Sequence, residues 1–281
     1  MSGLPRDHFI SRVHIRQWAT QNQVTMLRRG GGEAQALDVG KAIAAESGLN
    51  DPVIEAAYGK IESAFSRALQ RVMNRTGDLT VRNEQAIREY CVLMHDRYPA
   101  LRGSATDERA LPGGAAMMVP NPANWGASND AGSVLDRLTR DLGREEVKMS
   151  RLRMLPTFAR LLPAKMWIIR GGPTLLGDAG VHSITLHPEI DNGQTYVAMP
   201  LAPDATVIFG SVRPGDEDVD TIVRLTMMKV AMSSTVVIDS VSAPLISAFV
   251  QDMWLRQGEP AGKGVPFSTR VWGRPQDIPT S

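Results

Sequence analysis

Five histidines are the side chains best suited to acid–base or metal chemistry here: His8, His14, His95, His182 and His187. Their spacing argues against a metal site on any one element. His182 and His187 are five apart in a stretch that reads as a strand, so they point to opposite faces. His8 and His14 are six apart in a stretch that reads as a helix, again on different faces. Scattered surface or capped histidines are favoured over a metal ligand set. The strongest charge pattern is basic. Arg137, Arg140, Arg144, Lys148 and Arg151 step by 3, 4, 4 and 3 residues and form one stripe along a helix. Such a stripe can bind phosphate or an acidic partner, or it can be a solvated face paired with Asp141, Glu145 and Glu146. The solvated face is the favoured reading.

Other chemistries lack their motifs. Neither "RRGGGEAQ" nor "GGPTLLGDAG" contains the G-x-x-x-x-G-K-[ST] phosphate loop. There is no H-E-x-x-H, no paired C-x-x-C and no G-x-S-x-G, which removes the common metalloprotease, zinc-ribbon and serine-hydrolase readings. No cofactor or metal is expected.

Charge and composition narrow the class further. The 31 Lys and Arg nearly cancel the 30 Asp and Glu, leaving a formal net charge of +1. A surface devoted to nucleic acid or anionic membrane would be far more basic, so nucleic acid is an unlikely partner. Cys91 is the lone cysteine and cannot form an intrachain disulfide, which suits a reducing cytoplasm. The start "MSGLPRDHFISR" lacks the unbroken apolar core of a signal peptide. The most apolar stretch, "STVVIDSVSAPLISAFV", is broken by Asp239 and Pro244, so no membrane span is expected. A soluble cytoplasmic protein is the expectation.

The elements that must position these residues are partly legible. Residues 8 to 20 read as a helix with His14 and Trp18 on one face, and "QVTMLRR" reads as a strand. Asp51 and Pro52 start a helix in which Ile54, Tyr58, Ile61, Phe65, Leu69, Val72 and Met73 recur at helical spacing. A second helix is predicted from Val81 to Tyr98, stopped by Pro99. Residues 100–131, dense in Gly, Pro, Asn and Ser, read as a long loop carrying Met117, Met118 and Trp125. A helix is predicted over about 133 to 155.

From Lys165 the period changes. "MWIIRGG", "TLLGDAG", "HSITLHP", "TYVAMPL" and "ATVIFGSV" are short extended runs separated by turn residues, the pattern of an antiparallel meander over 165–212. Helices near 218–232 and 243–256 follow. The expected fold is α+β: an antiparallel sheet in the C-terminal half, with helices from the N-terminal half and the C-terminus packed on it. The expected organisation is one domain over 1–257 and a Pro/Gly-rich tail over 258–281.

Two regions together resemble a bacterial family known as domain-of-unknown-function family 4238. The family opens on H-Y-x-P-x-x-Y-L-x-x-F, and this chain has His8, Phe9, Ser11, His14, Ile15 and Trp18 in those places. An S-D-x-P turn is matched by Gly177-Asp178-Ala179-Gly180, and a P-L-S-P strand end by Pro200-Leu201-Ala202-Pro203. The chain is thus a divergent member: the first motif's proline is Ser11, and only Asp178 survives from the turn. If the family has a catalytic centre, the resemblance implies His8 and Asp178 as what remains of it, a carboxylate orienting a histidine base. Phe9, Val13, Ile15 and Trp18 then anchor the fold, and His14 is a packed or surface substitution of an aromatic residue. Asp178 is expected to be solvated in its glycine-flanked turn.

Three functions compete on this reading. The favoured one is a non-catalytic intracellular module for an unknown protein or small ligand. The first alternative is an enzyme of unknown reaction, hydrolysis among the candidates, using Asp178 and His8. The second is a weak nucleic-acid binder through the basic stripe.

Overall fold

The computed structural model describes residues 10–29, 33–42, 52–74, 79–96, 144–171, 174–178, 180–186, 194–231, 233, 235–239 and 243–257. Within them, the side chains of 96, 144–148, 245 and 256–257 are excepted. The 100–131 segment and the 258–281 tail lie outside the described residues. So do His187 and the Gly30-Gly31-Gly32 turn.

A four-residue helix, α1 (Arg12–Ile15), runs into a 3-10 turn over Arg16–Trp18. Ser11 ends the extended backbone before it, and its side chain accepts the His14 N–H at 3.3 Å. Serine at an N-cap satisfies a donor that proline could not serve in this way. Strands β1 (Gln23–Arg28) and β2 (Gln35–Asp38) follow. Helix α2 (Pro52–Asn74) buries Ile54, Tyr58, Phe65, Leu69 and Val72, the stripe legible in the sequence. Helix α3 covers Val81–Asp96.

Helix α4 (Arg144–Leu161) runs through Pro156, beyond the point near 155 where the sequence predicts its end. An interior proline costs about 3 kcal/mol. Leu155, Ala159 and Leu162 are buried against α2, α3 and the sheet, and burying each leucine alone contributes about 1.5–3 kcal/mol. Burial therefore offsets the proline.

The extended half forms two four-stranded antiparallel sheets. Strands β3 (Lys165–Arg170), β5 (His182–Leu186), β6 (Gln194–Ala202) and β7 (Ala205–Gly210) make one, in the order β3-β7-β6-β5. The predicted sheet is there, with one correction to its membership. The "TLLGDAG" run supplies β4 (Leu176–Gly177), which pairs instead with β8 (Thr235–Ile238) in the second sheet, β2-β1-β8-β4. Helices α5 (Asp216–Ala231) and α6 (Ala243–Gln257) complete the α+β fold, giving six α-helices among the described residues.

Strand alternation shows why both sheets read as continuous apolar runs. In β6, Val197, Met199 and Leu201 face the large core under α2, α3 and α4, while Tyr196 and Ala198 face Ile222 of α5. In the second sheet, Met26 and Val237 join the large core, and their neighbours Leu27 and Val236 pack with α5 and α6. Each sheet is covered on both faces, so period-2 polarity is lost. No helix of the described residues is long and apolar enough to cross a membrane.

Candidate functional site

Ser11 begins a place where the start of the chain, α3 and the end of β6 meet. From α1, His14 is fully buried and its Nε2 lies 2.7 Å from the Pro200 carbonyl oxygen at the end of β6. A carbonyl only accepts, so Nε2 carries the proton and Nδ1 is the acceptor. Nδ1 takes the Tyr90 hydroxyl of α3 at 3.2 Å, and that oxygen in turn takes Ser11 Oγ–H at 3.1 Å. The hydrogen bonds therefore run from Ser11 through Tyr90 and His14 to Pro200.

Aromatic rings enclose the network. Trp18, Phe65 and Tyr90 each meet the His14 ring edge-on with centroids 5.4–5.5 Å away, and Phe65 stacks on Tyr90 at 3.7 Å. Burial pushes the His14 imidazole down to about 4, only partly countered by its bond to Pro200. It is neutral near pH 7. The relay has the order needed to pass a proton from Ser11 to His14, yet Ser11, His14 and Tyr90 are all shielded from solvent. Its chemistry is that of a joint.

Trp18 and Thr174 tie the same joint to the residues that end β6. Trp18 Nε1–H donates to the Thr174 carbonyl at 3.0 Å. Thr174 donates its N–H to Pro203 O at 2.6 Å and its hydroxyl to Ala202 O. A Cβ on Gly180 would lie 2.4 Å from Met94 Cε of α3. On the other side, a Cβ on Gly177 would meet Ser233 Oγ at 2.4 Å and Ser233 Cβ at 2.9 Å. Close packing with Ser233 and Val230 thus favours glycine at 177, whereas at 180 the obstacle is the flexible tip of Met94.

Asp178 sits between them and is only 5% exposed, which corrects the expectation of a solvated carboxylate. Its N–H extends the β4–β8 ladder to Thr235 O at 3.0 Å, so Asp178 continues the sheet. His8 lies outside the described residues. So do Arg137 and Arg140, and the side chains of Arg144 and Lys148, although both of those residues stand in α4. Arg151 is half-buried in α4. Burial first, then the charges of Arg151 and His182, push His95 well below the usual histidine range. That places one end of the basic stripe beside two histidines of the interior. No three His, Cys, Asp or Glu side chains converge as metal ligands among the described residues.

Of the sequence candidates, Trp18 and Ile15 are core anchors as expected, and His14 is the packed alternative. Tyr90, Thr174 and the Pro200 carbonyl were not found, since nothing local links position 14 to position 200. Ser11 did carry a signal, being an N-cap residue type directly before a helix.

Arg88 makes a second polar centre nearby. Its guanidinium, 6% exposed, binds the Pro163 and Ala164 carbonyls at 2.9 and 2.7 Å beyond the end of α4. It also pairs with Glu84 at 2.8 Å and lies over the Phe209 ring at 5.0 Å. The carbonyl bonds hold the end of α4 to α3, and the ring contact holds α3 to β7. Cys91, next along the same helix but three, has its thiol pushed up to about 12 by burial, so it is no nucleophile at neutral pH.

Comparison with curated proteins and with solved structures gives no match in either case. Residues 6–122 match the model of the family described as "Protein of unknown function (DUF4238)", so this part of the chain is similar to that family.

Proposed function

We propose that this protein is a non-catalytic binding module of the cytoplasm whose motif residues build the fold rather than act on a substrate. The observation that carries the reading is the state of His14: buried, hydrogen-bonded through both ring nitrogens, and neutral near pH 7. A general base needs access to the proton it takes, and this imidazole spends both nitrogens on the protein. Of the candidate pair His8 and Asp178, His8 lies outside the described residues, and Asp178 is drawn into a sheet extension. The partner in this reading is a protein or small ligand. A net charge of +1 supports leaving nucleic acid aside.

The test is a turnover screen of the purified chain on chromogenic esters, phosphates, glycosides and peptides. The expected result is no turnover above that of a heat-denatured sample. Turnover that Asp178→Asn abolishes while leaving the urea midpoint unchanged overturns the reading in favour of an enzyme.

A further inference from the structure

Residues 10–19 are held to the rest of the fold by their side chains. Ile10, Ile15 and Trp18 are buried in the large core, and His14 sits among Phe65 of α2, Tyr90 of α3 and the Pro200 carbonyl of β6. The backbone bonds described for this segment close within it. His14 and Ile15 donate to Ser11 O, and Ala19 donates to Arg16 O. Among the described residues, it joins neither sheet. It is an insert seated in a groove.

A two-residue turn connects the insert to β1. Thr20 and Gln23 exchange both backbone bonds at 2.9 Å, so Gln21 and Asn22 reverse the chain, at φ 50° and 62°. Left-handed backbone is routine for glycine and tolerated by asparagine, but it strains a residue such as glutamine. Asn22 is also tied to the end of β2: its carbonyl accepts Val39 N–H at 3.0 Å, and its amide reaches Asp38 at 2.5 Å. Gln21 is strained and exposed, which makes it the pivot.

An insert closed over its own chain by a short strained hinge is the arrangement that favours exchange between copies. Once Gln21 becomes extended, the insert leaves its groove, and the same groove exists in every copy of the chain. The bonds from His14 to Pro200 and from Trp18 to Thr174 form again across the two copies. Exchange gives up the Thr20–Gln23 bonds to water and relieves Gln21 in both chains. Against it stands the effective concentration of a chain's own insert, about millimolar for a short connection. Strain in the closed turn lowers that advantage. We propose that this chain forms a swapped dimer, in which residues 10–19 of each copy fill the groove between α2, α3 and the end of β6 in the other, hinged at Gln21.

The test is size-exclusion chromatography with light scattering on the full chain. Wild type, Gln21→Gly and Gln21→Pro are each unfolded in urea at high protein concentration, returned to buffer and diluted in series. Wild type is expected to give a dimer that dissociates on dilution. Glycine removes the strain of the closed turn at unchanged length, so Gln21→Gly should dimerise about tenfold or more weakly, since each dimer contains two hinges. Proline fixes φ at about −65° and cannot close this turn, so Gln21→Pro should remain a dimer on dilution. A dimer built through any other face would respond alike to both substitutions at this exposed position. Equal dimerisation of the three proteins, a folded monomer of Gln21→Pro, or a wild type that is monomeric throughout overturns the swap. If Gln21→Pro fails to fold, the dissociation constants of wild type and Gln21→Gly decide the matter.

Discussion

Lowering the pH should unfold this protein from its motif joint outward. His14 has an ordinary value of 6.5 and is pushed down to about 4 in the fold. The unfolded chain therefore binds a proton that the folded chain refuses across that window. Stability from the neutral imidazole is fully present above 6.5 and falls as the pH drops toward 4. One proton of difference changes stability by about 1.4 kcal/mol per pH unit. From pH 6.5 to pH 5 the loss is thus about 2 kcal/mol, and by pH 4 it is about 3 kcal/mol. His95 adds a loss of the same sign, because burial and the charges of Arg151 and His182 also hold it neutral. The assay is the urea midpoint at pH 7.5, 6, 5 and 4.5 for wild type and His14→Phe. At pH 7.5 the variant should be less stable by about 1–3 kcal/mol, because the Pro200 carbonyl and Tyr90 hydroxyl lose a partner. Between pH 7.5 and 5, however, the variant should lose about 2 kcal/mol less than wild type. Parallel pH profiles for the two proteins would refute the argument, since they would mean that His14 titrates alike in both states.

Other substitutions probe the same packing. Trp18→Ala should cost about 3–5 kcal/mol in urea stability, since it empties a fully buried site and removes the bond to Thr174. Gly177→Ser should destabilise by about 1–3 kcal/mol because Ser233 and Val230 fill the space; an unchanged midpoint would contradict that packing. Arg88→Met should cost about 3–5 kcal/mol by leaving Glu84 and the carbonyls after α4 without their donor. Cys91 should resist an aromatic disulfide reagent at pH 8 in buffer and react at once in denaturing urea.

Local physics made some of this fold legible from sequence and hid the rest. The α2 stripe from Ile54 to Val72 could be read because helical burial repeats within a few residues. The runs from Lys165 to Gly210 announced strands through their composition and turns. Their partners did not follow, since pairing is a long-range choice: Leu176-Gly177 leaves the meander to join Val236-Val237 sixty residues away. Strand β8 escaped notice because Thr235–Ile238 is short and lies inside a longer apolar stretch. Pro156 misled for the opposite reason, a strong local signal overridden by burial of Leu155, Ala159 and Leu162. The site shows the same division. Ser11 and Trp18 carried local marks of a cap and an anchor. The burial of Asp178 and the bond from His14 to Pro200 come from tertiary packing alone, and a glycine-flanked aspartate reads locally as a solvated turn.

The central claim is that His14 is a structural link of the fold, and nitrogen NMR of its ring tests it most directly. Two-bond proton–nitrogen correlation of the labelled protein from pH 8 to pH 5 should show a protonated Nε2 and an unprotonated Nδ1, both unchanged over that range. Averaged nitrogen shifts that titrate with a midpoint near the ordinary 6.5 would contradict it, and would return His14 to the set of residues able to do acid–base chemistry.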